Sequence, residues 1–196
     1  MTQAGDFEMA AVRLRQRPVA FVGISALCDG APRSHIGESP VRTNEKGRPL
    51  REIETRIAIA APAETVWQVL TDFPRYPEWN PFVRSIAGAP VVGSVLEVEV
   101  APPGGAAMSF RPTVLVAEPA SELRWRGKLL VPGIFDGEHY FLVRPGPAGA
   151  AEFVHGEAFS GLLVPFFGSV LAKTEAGFAA MNEALKTRCE RLAGSV

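Results

Sequence analysis

The chain has 196 residues, 47% of them hydrophobic, which suffices for one domain of ordinary size with a sizeable core. Its 20 Lys and Arg stand against 21 Asp and Glu, for a net charge of −1, so it lacks the footprint by which nucleic acid or an anionic membrane surface is held. The two cysteines, Cys28 and Cys189, are far apart with no Cys or His at metal-ligand spacing beside them, which argues against a disulfide framework and sets a reducing cytoplasm as the expected compartment.

Residues 1–48 read as a mostly disordered extension. A short helical pattern near Phe7 to Arg15 and the apolar run "PVAFVGISALC" give way to "DGAPRSHIGESPVRTNEKGRP", rich in Gly, Pro, Ser and charge, with no sustained period. Arg13, Arg15 and Arg17 ahead of the apolar run make export through residues 1–28 the alternative to a cytoplasmic location, against which stand Asp6, Glu8, Gly23 and the bulky Leu27 before Cys28. Elsewhere no segment approaches the roughly 18 apolar residues of a membrane-spanning helix, so no integral membrane segment is expected.

A single domain is expected over 49–193. "REIETRIAIA" alternates Ile53, Thr55, Ile57 and Ile59 with Glu52, Glu54 and Arg56, the mark of a strand with one wet face. Ala63 to Thr71 carries Val66 and Leu70 at helical spacing behind Pro62, and the corner "DFPRYPEWNPF" follows, stiffened by Pro74, Pro77 and Pro81. Strand patterns then succeed one another at about Val83 to Ile86, Ser94 to Val100, Ser109 to Glu118, Glu122 to Leu130, Ile134 to Arg144 and Glu152 to Gly161. The turns between them leave no room for crossover helices, so the strands form an antiparallel meander. From Pro165 onward Phe167, Val170, Leu171, Thr174, Phe178, Met181, Leu185 and Leu192 recur at three- and four-residue steps opposite Lys173, Glu175, Glu183 and Lys186. That stripe needs a large apolar surface, and the concave face of the sheet offers one. The expected class is α+β: a curved antiparallel sheet of about seven strands wrapped around a long C-terminal helix, with short helices after strand one.

"IETRIAIAAPAETVWQVLTDFPRYPEWNPFV", "SELRWRG", "GEHYFLV", "FVHGEAFSGLLVPFF" and the final helix together resemble the SRPBCC group of helix-grip proteins, which includes START-like lipid-binding domains and the polyketide cyclase/dehydrase-like family. The resemblance covers about Leu50 to Leu192. It implies a tunnel between sheet and helix. Because that superfamily hosts ligand carriers, cyclases and an iron-bearing dioxygenase branch, it does not choose among them.

Alternation assigns the tunnel lining. Phe135, His139 and Phe141 face inward on one strand, Phe153, His155, Glu157 and Phe159 on the next, and Trp125 on a third. Trp79 and Phe82 belong to the corner, read as a lid, and Phe167, Leu171 and Phe178 to the helix. A few polar groups among apolar walls suit a mostly hydrophobic small molecule. The bland alternatives are a His155–Glu157 surface pair on the convex face, a His139 satisfied by a backbone carbonyl, and Trp125 as ordinary core.

Three functions fit: a carrier of a hydrophobic small molecule, the leading one; a cofactor-free cyclase or dehydratase in which His139 and Glu157 are catalytic; and an interaction module using the apolar 162–167 edge, "LLVPFF", to dock a protein partner or a second copy. Two His and one carboxylate also meet the formula of a non-haem iron site, but no Rieske-type Cys/His pair, dinucleotide fingerprint, phosphate loop or Ser/His/Asp pattern occurs, so no metal and no cofactor are expected. Deleting Met1 to Lys46 is expected to leave the thermal unfolding midpoint of the domain nearly unchanged, as read by calorimetry; a large fall would show that "PVAFVGISALC" contributes to the core.

Overall fold

The computed structural model describes residues 42–43, 49–129, 135–161 and 168–194. The elements expected in 1–41 and the apolar 162–167 edge lie outside the described residues. In chain order the elements are β1 (Arg42–Thr43), β2 (Pro49–Ile59), α1 (Ala63–Thr71), a 3-10 turn (Phe73–Arg75), α2 (Tyr76–Trp79), β3 (Val83–Ala87), β4 (Glu97–Val100), β5 (Met108–Phe110), β6 (Thr113–Glu118), β7 (Glu122–Leu129), β8 (Phe135–Pro145), β9 (Ala151–Ser160) and α3 (Gly168–Ala193).

Every strand pairing is antiparallel, as the short turns require. Six strands run in the order β1-β2-β9-β8-β7-β6, and β3-β4-β5 form a second, three-stranded sheet. The expected strand Ser109 to Glu118 is divided at Arg111 and Pro112, because proline has no N–H to give the ladder. Pro112 still accepts from Leu96 N at 2.8 Å, and Val114 exchanges bonds with Gly93 and Ser94 at 2.9 Å each, so the two sheets are sewn together at the break. Two residues of the expected extension, Arg42 and Thr43, add a short edge strand beside Leu50 and Pro49.

Pairing of β2 with β9 brings the first long strand beside the last and aligns Ile53, Thr55 and Ile57 with Glu157, His155 and Phe153. The row they belong to continues as Phe141 and Val143 on β8 and Leu123 and Trp125 on β7, all buried. Against it α3 sets Leu171, Phe178, Met181, Leu185 and Cys189, while Lys173, Glu175 and Glu183 stay exposed. Burial pushes the Cys189 thiol up to about 12, so this cysteine acts as a small core residue. The C-terminal half of α3 is tied to the N-terminal part of the domain: Arg188 pairs with Glu78 at 2.9 Å, and Glu190 accepts from Ala60 N at 2.8 Å.

The proline-rich corner, expected as a lid, is helical and anchored. Phe73, Tyr76 and Phe82 are buried, Tyr76 donates its hydroxyl hydrogen to Leu70 O at 2.7 Å, and the Tyr76 ring meets Phe73 and Trp79. Asn80 Oδ1 accepts from the backbone N–H groups of Phe82 and Val83 at 3.0 and 2.8 Å, which fixes the turn into β3. The Phe82 ring lies edge-on to Phe178, 5.6 Å between centroids, and occupies the place a side chain at Gly177 would take. Gly177→Ala pits a helix-propensity gain of about 1 kcal/mol against an overpacking cost of ~1–3 kcal/mol. Because the added carbon would meet the face of a buried ring, overpacking should win, and urea denaturation should show a net loss of stability.

Candidate functional site

β8 and β9 each carry a buried histidine, and α3 sets Asn182 against them. His139 sits opposite Glu157 in the β8–β9 register and opposite Trp125 in the β7–β8 register; Thr55 on β2 sits opposite His155. Four hydrogen bonds link these groups into a chain. Glu157 Oε2 lies 3.4 Å from His139 Nδ1, His139 Nε2 lies 2.9 Å from His155 Nε2, His155 Nδ1 lies 2.9 Å from Asn182 Oδ1, and Asn182 Nδ2 donates to Thr55 Oγ1 at 2.9 Å. The chain ends on the backbone, where Thr55 donates to His155 O at 3.2 Å.

Aromatic rings enclose this relay. His139 stacks on Trp125 with centroids 5.1 Å apart, and His155 stacks on Phe178 at 3.7 Å; Phe141 touches both histidines, and Phe153 stacks on Phe141. His155, His139 and Asn182 are buried, whereas the Glu157 side chain keeps 19% of its surface. Burial, and then the neighbouring His139, hold the pKa of His155 well below the usual imidazole range against the opposing hydrogen bond from Asn182, so His155 is neutral.

Glu157 marks the accessible end. Its Oε1 lies over Gly137, where a side chain would collide with it, and Gly137 is paired with Gly127 on β7. Among the described residues a Cβ on Gly127 would meet only Pro112 within 4 Å, at 3.8 Å. Two glycines side by side on the inner row remove two side chains from the sheet's floor beside the carboxylate.

The outer face of the same strands is a separate, charged surface. Tyr140 donates to Glu52 and Glu54, with the oxygens at 2.8 and 2.9 Å, and lies over Gly156; Arg124 and Arg126 pair with Glu138. Arg56 and then Tyr140 hold the Glu54 carboxyl below its ordinary range.

Of the residues assigned to the lining, His139, His155 and Glu157 therefore come together on the inner face with Trp125, Phe141, Phe153 and Phe178 around them. Phe159 is buried one inward position beyond Glu157, opposite Gly137. Phe82 and Leu171 are buried, Trp79 is half-buried against Tyr76, Phe135 is placed on β8 opposite Leu129, and Phe167 lies outside the described residues. The two-His-one-carboxylate formula is not assembled: Glu157 addresses the Nδ1 edge of His139 and His155 its Nε2 edge, and among the described residues no group of three or more His, Cys, Asp and Glu is set to hold a metal ion. Asn182 and Thr55 had no place in the sequence-based lining. The available signal was a polar side chain on each apolar row: Asn182 next to Met181 and one turn from Phe178 and Leu185, and Thr55 between Ile53 and Ile57.

A curved antiparallel sheet gripping one long helix, with a polar-dotted aromatic interior between them, is the helix-grip architecture of the START-like, SRPBCC superfamily. Residues 51–190 match the family described as polyketide cyclase / dehydrase and lipid transport, and the chain belongs to that family. No curated protein matches it by sequence. Among solved structures it is similar to the Zhui aromatase/cyclase from Streptomyces sp. R1128, with a TM-score of 0.60 and 19% identity over 72% of this chain and 94% of that one. A START superfamily protein from Mycobacterium smegmatis gives 0.56 and 21% over 72% and 98%. Norcoclaurine synthase from Thalictrum flavum, solved in complex with dopamine and hydroxybenzaldehyde, gives 0.57 and 16% over 83% and 95%. At these identities the likeness is one of fold. Among the described residues no helix is long and apolar enough to cross a membrane.

The neutral buried His155 predicts a pH dependence of stability. Its folded pKa lies below the unfolded value of 6.5, so above that value both states are neutral and nothing changes. As the pH falls below it the unfolded chain takes up a proton that the folded chain refuses, and stability is lost at up to about 1.4 kcal/mol per pH unit. Urea denaturation between about pH 7 and about pH 5.5 should show this slope. His155→Gln, neutral at every pH, should remove it.

Proposed function

We propose that the chain binds a hydrophobic small molecule, lipid-like, polyketide-like or aromatic, whose polar group meets Glu157 and His139 above the Gly127–Gly137 floor. The observation that carries this reading is the Glu157 carboxylate: it lies on the inner face, hydrogen-bonded to a buried histidine, over Gly137 and beside the open position at Gly127. A structural role alone would not call for a carboxylate there, since a charge taken from water costs energy unless something compensates it. Trp125, Phe159 and Phe141 offer the apolar wall, and the polar pair supplies orientation. Membership of the family and the likeness to START-like and aromatase/cyclase folds support ligand binding in general.

A second reading is favoured by the His139–Glu157 contact itself. A carboxylate on imidazole Nδ1 is an acid–base unit, and its 3.4 Å length is of the kind that tightens once a reactant is bound. In a cyclase or dehydratase this pair would move the proton next to a carbonyl.

Native mass spectrometry of the purified protein should find a copurifying hydrophobic compound, and the fluorescent probe 8-anilino-1-naphthalenesulfonate should bind and be displaced by it. Gly127→Leu enters the floor at a position where the first added carbon has Pro112 at 3.8 Å as its neighbour among the described residues, and should abolish probe binding while the unfolding midpoint is kept. Unchanged probe binding in that variant would remove the glycine floor from the site. Glu157→Gln separates the two readings: a carrier should lose about tenfold in affinity, roughly 1–2 kcal/mol, whereas an enzyme should lose about 10²-fold or more in turnover with binding little altered.

A further inference from the structure

The direction of every hydrogen bond in the relay can be worked out from its backbone end. The carbonyl oxygen of His155 only accepts, so the Thr55 hydroxyl gives it its one hydrogen. Thr55 Oγ1 must then receive from Asn182 Nδ2, which turns Asn182 Oδ1 toward His155 Nδ1. An amide oxygen only accepts, so His155 Nδ1 carries a hydrogen. His155 is neutral, so its Nε2 holds a lone pair, and the 2.9 Å contact between the two histidines is made by a hydrogen on His139 Nε2. His139 therefore presents Nδ1 to Glu157 Oε2.

We infer that Asn182 is the positioning residue of this site, that through His155 it places the His139 hydrogen on Nε2 and turns His139 Nδ1 to Glu157 Oε2, and that Glu157 Oε1, on the far side, is left as a hydrogen-bond acceptor, so that the ligand's polar group is a donor: a phenolic, enolic or alcoholic hydroxyl, or an N–H. The step to the ligand is chemical. Any hydrogen in the contact of His139 Nδ1 with Glu157 Oε2 lies on the side facing His139, and the other oxygen, over Gly137, keeps only lone pairs. A ketone, ester or ether there would set acceptor against acceptor. This rests on the proposed binding reading for the ligand, and on the hydrogen-bond geometry together with the neutrality of the buried His155 for the relay.

The surroundings leave the assignment undisturbed. Facing the pair are Trp125 from β7, Thr55 from β2, Phe178 and Asn182 from α3, and His155 from β9. The charged side chains Glu52, Glu54 and Arg56 of β2, Arg124 and Arg126 of β7 and Glu138 of β8 lie on the opposite face, engaged with Tyr140 or with each other.

The relay is tested without any ligand. The chain has 3 histidines, His35, His139 and His155, so 15N-labelled histidine gives an assignable long-range 1H–15N spectrum. Expected are a hydrogen on Nδ1 and none on Nε2 for His155, and a hydrogen on Nε2 for His139. Asn182→Leu should erase the His155 preference. Asn182→Asp, of nearly the same shape, should protonate His155 on both nitrogens and shift the His139 hydrogen to Nδ1, which keeps the test decisive if the leucine variant does not fold. The opposite His155 tautomer in the parent protein, or a pattern indifferent to Asn182→Asp, overturns the positioning role. Donor selectivity is read with 2-naphthol and its methyl ether: the parent should prefer the naphthol by about tenfold, and Asn182→Asp, in which Glu157 Oε1 stays an acceptor, should keep that preference. Equal binding of the two by the parent overturns the acceptor assignment. If neither binds and no compound copurifies while the tautomer pattern holds, the binding reading and its donor selectivity fail and the positioning role of Asn182 stands.

Discussion

Alternation along β2, β7, β8 and β9 gathers large apolar side chains on one face of the six-stranded sheet, and that face has to be kept from water. Among the described residues α3 is the long helix that covers it, and the other contacts follow from this one. Pairing β2 with β9 brings inner-face rows from both ends of the chain together under the helix. The corner after α1 folds inward to pack Phe82 where α3 lacks a side chain, and Arg188 and Glu190 bind the helix's C-terminal half to Glu78 and Ala60. Burying one large side chain in such a core is worth ~1.5–3 kcal/mol, so the helix and the sheet face stand or fall together.

Against that background the buried polar groups are the informative ones. Thr55, Asn182, His155 and His139 replace apolar volume with groups that each need a partner, and an unmet partner costs about 1–3 kcal/mol. They meet this need among themselves, in one line, and the line stops at a carboxylate that is less buried than His139, His155 and Asn182. A network that served stability alone could close on the backbone at both ends. This one closes on the backbone at Thr55 and opens at Glu157, which is why the site is placed there and not among the more deeply buried rings around Phe178.

Strand periodicity and the helical stripe were enough to specify the architecture, because both are set by the demand that one face be buried. The inward set on β9 followed from the same alternation. Local chemistry modified the pattern where periodicity is silent: Pro112 divided a strand whose apolar spacing continued across it, and Pro74 and Pro77 of the corner entered short helices at their first turns, where a missing N–H costs nothing. Asn182 was illegible for another reason. On α3 it is one polar residue in an apolar stripe, and only the pairing of β2 with β9 brings Thr55 and His155 to it, which no local window contains.

Tyr140 and Gly156, described on the outer surface, bear on the site from behind. The ring lies where a side chain at 156 would be, and Gly156 sits in the chain between His155 and Glu157. The two positions therefore behave as a single unit of variation: a substitution at 156 needs a smaller partner at 140, and losing the tyrosine leaves Glu52 and Glu54 facing each other across a vacancy. Relatives that keep the relay should thus show correlated exchange at these two positions, a heritable trace of the interior carried on the outer face of the sheet.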